Sequence, residues 1–538
     1  MQKLVLLGDE AIAQGALDAG VSAVYAYPGT PSTEITEYVQ KSKEAKSGEV
    51  VAQWTANEKT AAEAAIGVSY AGRRAMVCMK HVGLNVAADP FMNSAITGVN
   101  GGLVFVVADD PSMHSSQNEQ DSRYFGKFAQ VPILEPSNQQ EAYDMMRYAF
   151  DFSERMNVPV LIRLTTRLAH SRAGVGLYDE KLKQRDFHLP KDNRQFVLLP
   201  SIAKRNYKKL LETWPAIEQE SENSAYNEYI DGEDKSLGII ATGIAYNYLK
   251  ENFPGGKIPY PVLKISQYPE PANMVKRLYD EVEKVLVLEE GYPIVEDRLR
   301  GLLNLGKAVH GRLDGTVPRD GELNPNIVGA ALKMHIPESF EPAEIVAPRP
   351  PMLCQGCPHT DSYKALNEAL ADVGPGHVLA DIGCYTLGAL QPLEAINSCV
   401  DMGASITMAK GAADAGLHPS VAVIGDSTFT HSGITGLLDC VIHKTPVTVV
   451  ILDNGTTGMT GGQPSEATGR IEDICYGLGV EKEHIHVLNP IRKNHEKNVE
   501  IFKKEFEYKG VSVIIPRREC IVTLNARLKA MKAKKLNQ

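Results

Sequence analysis

The chain predicts an α/β protein made of several doubly wound parallel-sheet domains. Three observations carry that class. Short, largely apolar runs recur, among them residues 421–424, 447–452 and 102–108, as strands buried on both faces of a parallel sheet require. Stretches with helical spacing alternate with them: Ile434, Leu437, Leu438, Val441 and Ile442 lie between the first two runs. The length, 538 residues, exceeds what one core accommodates and points to roughly three or four domains.

Composition narrows the function. A net charge of −10 argues against nucleic acid and against an anionic membrane surface as partners. The N-terminal sequence lacks a charged segment followed by a sustained apolar run, so no signal peptide is expected. No apolar run reaches the roughly 18 residues of a membrane span, and the expected location is cytoplasmic. The eight cysteines are scattered, with one close pair, Cys354 and Cys357. That spacing fits a reducing compartment rather than a disulfide framework. No Cys-x-x-Cys-x-x-Cys run occurs, so no ferredoxin-type cluster motif is expected in this chain.

Residues 1–190 read as the first domain. A small-residue helix over 10–20 precedes a strand over 21–27. Thr30 is then placed to cap a helix, with Pro31 at its first position and Glu34 in its first turn. A helix N-terminus at a strand end is an anion or carbonyl site, although a well-capped surface helix would show the same pattern. Glu58 opens a helix whose body is mostly alanine, which permits close approach of another helix or a cofactor ring. A carboxylate near a helix N-terminus is also simply favourable there. The strand over 75–78 leads to Lys80-His81-Val82-Gly83-Leu84-Asn85. The strand over 102–108 leads to Asp109-Asp110 and a polar loop over 114–123, read either as a substrate gate or as solvated surface.

Residues 191–235 are charged, lack a long apolar period and read as a solvated linker. Residues 236–320 form a second α/β unit, with strands near 237–243, 262–265 and 285–288 and a structural or interface role. Residues 321–350, rich in proline and charge, read as another linker. The last domain, 351–538, opens with Cys354-Gln355-Gly356-Cys357-Pro358-His359. A Cys-x-x-Cys suits zinc only with a second pair, and no second pair has suitable spacing. A strand over 378–382 ends at Gly383-Cys384-Tyr385, and Gly403-Ala404 opens a small-residue helix. Asp426 and Asn454 fall at the carboxyl ends of two parallel strands joined by one crossover, the edge where such sheets bind ligands. Their oxygens suit Mg²⁺, and Gly425 would let a phosphate approach the backbone. An ordinary βαβ unit would read alike.

Gly425-Asp426-Ser427, followed after twenty-six residues by Asn454, resembles the Gly-Asp-Gly…Asn motif of thiamine diphosphate enzymes, with Ser427 replacing the second glycine. Asn57-Glu58 and its alanine-rich helix resemble the catalytic-glutamate helix of the same enzymes. Together with Gly8-Asp9-Glu10-Ala11-Ile12-Ala13, Tyr27-Pro28-Gly29-Thr30-Pro31-Ser32, Lys80 to Asn85, Cys354 to His359 and Asp381 to Tyr385, they resemble the 2-oxoacid:ferredoxin oxidoreductases over nearly the whole chain. The finer likeness is to the large (alpha) subunits of indolepyruvate ferredoxin oxidoreductases.

The resemblance implies a pyrimidine-binding thiamine domain (1–190), a transketolase C-terminal-like domain (236–320) and a diphosphate-binding thiamine domain (351–538). It implies that Glu58 hydrogen-bonds the aminopyrimidine ring, with His81 and Thr30 beside the reacting end. Gly383, Cys384, Tyr385, Gly403, Ala404, Gly425, Asp426, Ser427, Asn454 and Thr456 would hold the rest of the cofactor. Asp426, Asn454 and the Thr456 carbonyl would bind Mg²⁺. The implied reaction is coenzyme A-dependent oxidative decarboxylation of an aryl-2-oxoacid such as indolepyruvate, with electrons passing to ferredoxin. The family's large subunit usually ends in a ferredoxin-like domain with two four-iron clusters, whereas this chain ends in a strand over 511–516, Cys520 and a lysine-rich tail. Cys520 alone cannot hold a cluster. Clusters are therefore expected on a partner, an iron–sulfur electron-carrier subunit or ferredoxin, beside a small (beta) subunit in a homodimer or hetero-oligomer. The missing domain keeps open a non-oxidative thiamine diphosphate-dependent 2-oxoacid decarboxylase. A nucleotide- or metal-binding α/β protein without thiamine is the third reading.

Overall fold

The computed structural model describes residues 3–190, 192, 194–304, 306–336, 343–347 and 352–536. It divides into two compact units, residues 1–340 and 341–538.

The first unit holds a seven-stranded sheet. Its order is Gln267–Tyr268, Ile133–Leu134, Val160–Thr165, Leu103–Asp109, Ala75–Lys80, Ala23–Ala26, Val51–Trp54. All neighbours are parallel except the first pair. Leu103–Asp109 and Val160–Thr165 are buried at every position, which is why their apolar runs lack alternation. The predicted small-residue helix is Gly8–Asp18, packed against Gln139–Met156. Its small residues permit that approach: a Cβ on Gly15 would lie 2.5 Å from the Tyr143 carbonyl oxygen.

A second sheet in this unit has the order Val309–His310, Val285–Leu288, Gly238–Thr242, Val262–Ile265, Glu228–Ile230, with only the last strand antiparallel. Gln267–Tyr268 follows directly on Val262–Ile265, yet adds an edge to the first sheet. Buried charges surround that crossing. Arg163 pairs with Asp109 at 2.6 Å and with Glu135. Arg123 pairs with Asp121 at 2.6 Å and with Glu289 at 3.1 Å. The Tyr268 hydroxyl donates to Glu135 at 2.7 Å. Charges this deep persist only when fully paired, and removing one partner typically costs about 3–5 kcal/mol.

Two stretches read as connections carry structure. Residues 200–222 form the helix Pro200–Glu222. Asn206, Leu210, Ile217 and Ser221 make its single buried stripe, a pattern too narrow to stand out among the surrounding charges. Residues 325–331 form the helix Pro325–Ala331, capped by Asn324, whose Oδ1 accepts from the Ile327 N–H at 3.0 Å. Of the remaining stretch, residues 337–342 and 348–351 lie outside the described residues.

The second unit is a five-stranded, fully parallel sheet ordered Val378–Ala380, Val421–Gly425, Thr448–Leu452, Ser512–Pro516, Ile485–Leu488. Tyr363, Leu366, Val499 and Phe502, from helices Pro358–Ala369 and His495–Glu507, build one apolar layer. Ile406, Ala409, Leu437 and Cys440, from Ala404–Asp414 and Ile434–His443, build the other. The expected doubly wound class is thus the observed one. Among the described residues no helix is long and apolar enough to cross a membrane.

Candidate active site

The five parallel strands Val51–Trp54, Ala23–Ala26, Ala75–Lys80, Leu103–Asp109 and Val160–Thr165 place their carboxyl ends on one edge of the first sheet, and the predicted residues gather there. Glu58 is the first residue of the helix Glu58–Tyr70. Asn57 caps it: Asn57 Oδ1 accepts from the Thr60 N–H at 2.9 Å, and the Asn57 N–H donates to Thr60 Oγ1 at 3.3 Å. The Glu58 side chain is 4% exposed. Gly83 packs directly on its carboxyl, where a Cβ would stand 2.6 Å from Oε1. Lys80 lies close enough to feel Glu58 and Asp110, but burial outweighs both and brings its ammonium down to about 8. Lys80 Nζ donates to the Ser115 carbonyl at 3.0 Å.

His81 is buried, with Nε2 3.1 Å from the Asn118 carbonyl oxygen. A carbonyl only accepts, so Nε2 carries the proton. Nδ1 is buried and has no hydrogen-bond partner among the described residues. The polar loop is tied down by Asp110, which accepts from the Ser115 N–H (2.8 Å), the Ser116 hydroxyl (2.7 Å) and the Thr166 hydroxyl (2.7 Å). Thr30 reaches the same region through its carbonyl, which accepts from the Ser115 hydroxyl at 3.2 Å. Its expected capping role is corrected: the helix is Thr33–Lys41 and its cap position is Ser32. The Ser32 hydroxyl donates to the Gly29 carbonyl and Thr33 Oγ1 accepts from the Gly29 N–H, so local hydroxyl bonds set the boundary instead.

Gly83→Ala should drive a methyl group into the Glu58 carboxyl. The expected result is a fall of about 100-fold in kcat, the size associated with a misplacement of about 1 Å, in a chain that still binds thiamine diphosphate. Unchanged kcat in steady-state assays would show that the Glu58–Gly83 contact does not set the reacting geometry.

In the second unit, Asp426 follows strand Val421–Gly425 and its Oδ2 accepts from the Gly455 N–H at 3.1 Å. Asn454 Oδ1 accepts from the Thr456 N–H at 3.1 Å, closing the same loop. Asp426, Asn454 and Thr456 are all buried. Burial and the neighbouring Asp453 carboxylate push Asp426 up to about 7. Asp453 itself pairs with Arg517 at 2.5 Å. A buried acid beside an amide oxygen, short of positive charge, is a fitting donor set for a hard cation.

His359 lies beneath it. Burial takes this imidazole down to about 4, so it is neutral, and its Nε2 accepts from Asn454 Nδ2 at 3.1 Å. That bond fixes the amide with its oxygen turned to the loop, a support that the sequence reading did not single out. The Ser427 and Thr457 hydroxyls bond each other at 2.6 Å, so the residue in the glycine's place clasps the two strand-end loops. Gly425 acquires a different reason from the one expected. The Tyr385 ring fills the space beside it: a Cβ on Gly425 would lie 2.6 Å from that ring and one on Gly383 2.2 Å. The Tyr385 hydroxyl bonds Asp381, which also accepts from the Ser405 N–H at 3.1 Å. Burial pushes Asp381 up to about 7. Gly403, with φ 93°, caps the helix Ala404–Asp414 beside it, so Gly383, Tyr385, Gly403 and Ala404 gather around Asp381.

Four cysteines form a group that residue spacing concealed. Cys384 is raised to about 12, by burial first and then by Cys520, Cys357 and Cys354. Cys357 is raised by burial, with further contributions from Cys354 and Cys520. The four thiols therefore lie within electrostatic reach of one another. They are not among the donor groups that come within 4.8 Å of each other among the described residues. A single zinc would draw its thiolates to about 3.8 Å apart, so the arrangement is too open for one. The signal was positional: Cys384 and Cys520 follow the carboxyl ends of strands in one parallel sheet.

Two family models match this chain. The model described as pyruvate flavodoxin/ferredoxin oxidoreductase, thiamine diP-binding, matches residues 14–225. The model described as thiamine pyrophosphate enzyme, C-terminal TPP binding domain, matches residues 381–515. With the parallel sheets, they place the chain in the class of thiamine diphosphate-binding oxidoreductases. The indolepyruvate oxidoreductase subunit IorA of Archaeoglobus fulgidus is 41% identical over 551 residues, covering 97% of this chain and 87% of that protein. The corresponding subunit of Pyrococcus abyssi is 39% identical over 567 residues, covering 96% and 86%. The chain belongs to the family of these IorA subunits. Among solved structures, a 2-oxoglutarate:ferredoxin oxidoreductase from Magnetococcus marinus is similar over 57% of this chain and 62% of that one, with a TM-score of 0.48 and 16% identity.

Proposed function

We propose that this chain is the thiamine diphosphate subunit of an enzyme that converts an aryl-2-oxoacid, such as indolepyruvate, to its acyl-coenzyme A. The observation that carries the reading is Glu58, a buried carboxyl at a sheet's carboxyl edge, packed by Gly83 and within electrostatic reach of Lys80. The cofactor supplies the electron sink that lets a 2-oxoacid lose carbon dioxide. Glu58 would share a proton with the aminopyrimidine ring of the bound cofactor. Lys80 offers positive charge to the substrate carboxylate, and His81 Nδ1 accepts a hydrogen bond at the reacting end. Asp426, the Asn454 oxygen and the Thr456 carbonyl would hold Mg²⁺, which supplies positive charge for a diphosphate.

The overall change is 2-oxoacid anion plus coenzyme A thiol giving acyl-coenzyme A, carbon dioxide, one proton and two electrons. Cys354, Cys357, Cys384 and Cys520 would supply the four thiolate ligands of an iron–sulfur cluster, a group whose irons, when bound, supply a one-electron acceptor. This revises the expectation that clusters sit on a partner alone. Onward transfer goes to an iron–sulfur partner subunit or ferredoxin, with a small subunit completing the assembly.

The test is anaerobic reconstitution with the co-purifying small subunit. Expected are bound thiamine diphosphate by mass spectrometry, about four irons per chain at the four thiols, and coenzyme A-dependent viologen reduction with indolepyruvate. Cys520→Ser should lose iron and viologen reduction while keeping thiamine diphosphate. An active protein without thiamine diphosphate overturns the reading. Aldehyde release without viologen reduction favours the non-oxidative decarboxylase.

A further inference from the structure

We infer that Asp9, Glu34 and His170 form a binding site for a divalent transition-metal ion of the zinc class, separate from the cation that serves the diphosphate. Asp9 is the second residue of the helix Gly8–Asp18, Glu34 lies in the first turn of Thr33–Lys41, and His170 ends Thr166–His170. One donor atom from each lies within 4.8 Å of the other two. His170 Nε2 is 3.5 Å from Glu34 Oε2.

Asp9 is the second, independent observation. It is 0% exposed, and neither carboxyl oxygen has a hydrogen-bond partner. Buried polar atoms are nearly always bonded, and an unpartnered carboxylate is among the costliest exceptions. Glu34 Oε2, also buried, has no hydrogen bond either. A proton on Asp9 would give one of its oxygens a hydrogen to donate and still leave the other buried oxygen without a partner. One cation would satisfy the Asp9 and Glu34 oxygens and the imidazole nitrogen together.

The donor chemistry selects the ion. One imidazole nitrogen with two carboxylate oxygens suits zinc, which accepts three protein ligands and keeps a water in the fourth position. Mg²⁺ prefers an all-oxygen shell and gives up water reluctantly. The bound ion would tie together three helix ends, including the start of the helix that follows the Thr30 turn. Neither Asp426 nor the cysteine group takes part, so this inference stands or falls independently of the proposed function.

The experiment uses the full-length chain with its accessible thiols blocked by alkylation, stripped of loosely held metal and free of thiamine diphosphate. Zn²⁺ should bind with one ion per chain and raise the melting midpoint, and Mg²⁺ at the same concentration should not. Zinc-edge X-ray absorption should show nitrogen and oxygen neighbours at about 2.0–2.2 Å and no sulfur. Asp9→Asn should weaken Zn²⁺ binding by about tenfold or more. His170→Ala, at an exposed side chain, provides a second variant with the same expected loss and little risk to folding. A sulfur shell, equal Zn²⁺ affinity in both variants, or no retained zinc in the wild-type chain would overturn the assignment. Stabilisation of metal-free protein by Asp9→Asn with no zinc response would assign Asp9 a proton instead.

Discussion

Glu58→Gln should lower turnover by about three orders of magnitude, within the span attributed to a positioned proton-sharing group. The replacement has the same shape, so Asn57 and Thr60 still cap the helix and Gly83 still packs against the side chain. What is lost is a carboxyl that exchanges a proton. Affinity for thiamine diphosphate should change little, because its anchoring is assigned to Asp426 and Asn454. Steady-state kcat in the reconstituted complex and calorimetric cofactor binding separate these effects. Normal turnover would mean that Glu58 is misassigned.

Asp426→Ala should act in the opposite way, weakening Mg²⁺-dependent thiamine diphosphate binding by about 100-fold or more. Even a supporting residue around a metal commonly contributes 10–100-fold, roughly, and a direct ligand should exceed that. The acid's own ionisation adds a pH signature. Asp426 stands at about 7 before a cation arrives, and the cation needs the ionised form. Above that pH no proton must be displaced and affinity should be flat. Below it, affinity should fall by up to about tenfold per pH unit. Titrations between about pH 6 and 8 measure this. A flat profile through that range would contradict Asp426 as a cation ligand.

How much of this was readable in the sequence depended on the range over which each feature is encoded. Residues 102–108 and 421–424 declared themselves as strands because burial on both faces leaves an uninterrupted apolar run. Glu58 was readable as the opening of a helix because the alanine-rich run after it is a local signal, and Asp426 as a strand-end residue because an apolar run and a glycine precede it. Thr30 misled because two neighbouring hydroxyls, Ser32 and Thr33, bond Gly29 and move the helix start. Leu210 and Ile217 were hidden because a one-sided stripe on a charged helix resembles a solvated segment. The contacts of His359 with Asn454 and Gly83 with Glu58, and the electrostatic reach of Cys520 to Cys384, join residues from distant parts of the sequence, or a glycine whose meaning lies in what it leaves out. Nothing local announces them.

The buried arginines bear on how this protein can be taken apart. The boundary expected at residue 190 cuts across these pairs: Arg123 takes Glu289 and the Tyr268 hydroxyl as partners, and Arg163 donates to the Glu290 carbonyl at 3.0 Å. A fragment ending at residue 190 would keep both guanidinium groups and lose those acceptors, along with the edge strand Gln267–Tyr268. The middle sheet is therefore no detachable module that evolution or an engineer could swap at will. It acts as a keystone for the sheet that carries Glu58, and exchanging it would require changing Arg123 and Arg163 in the same step.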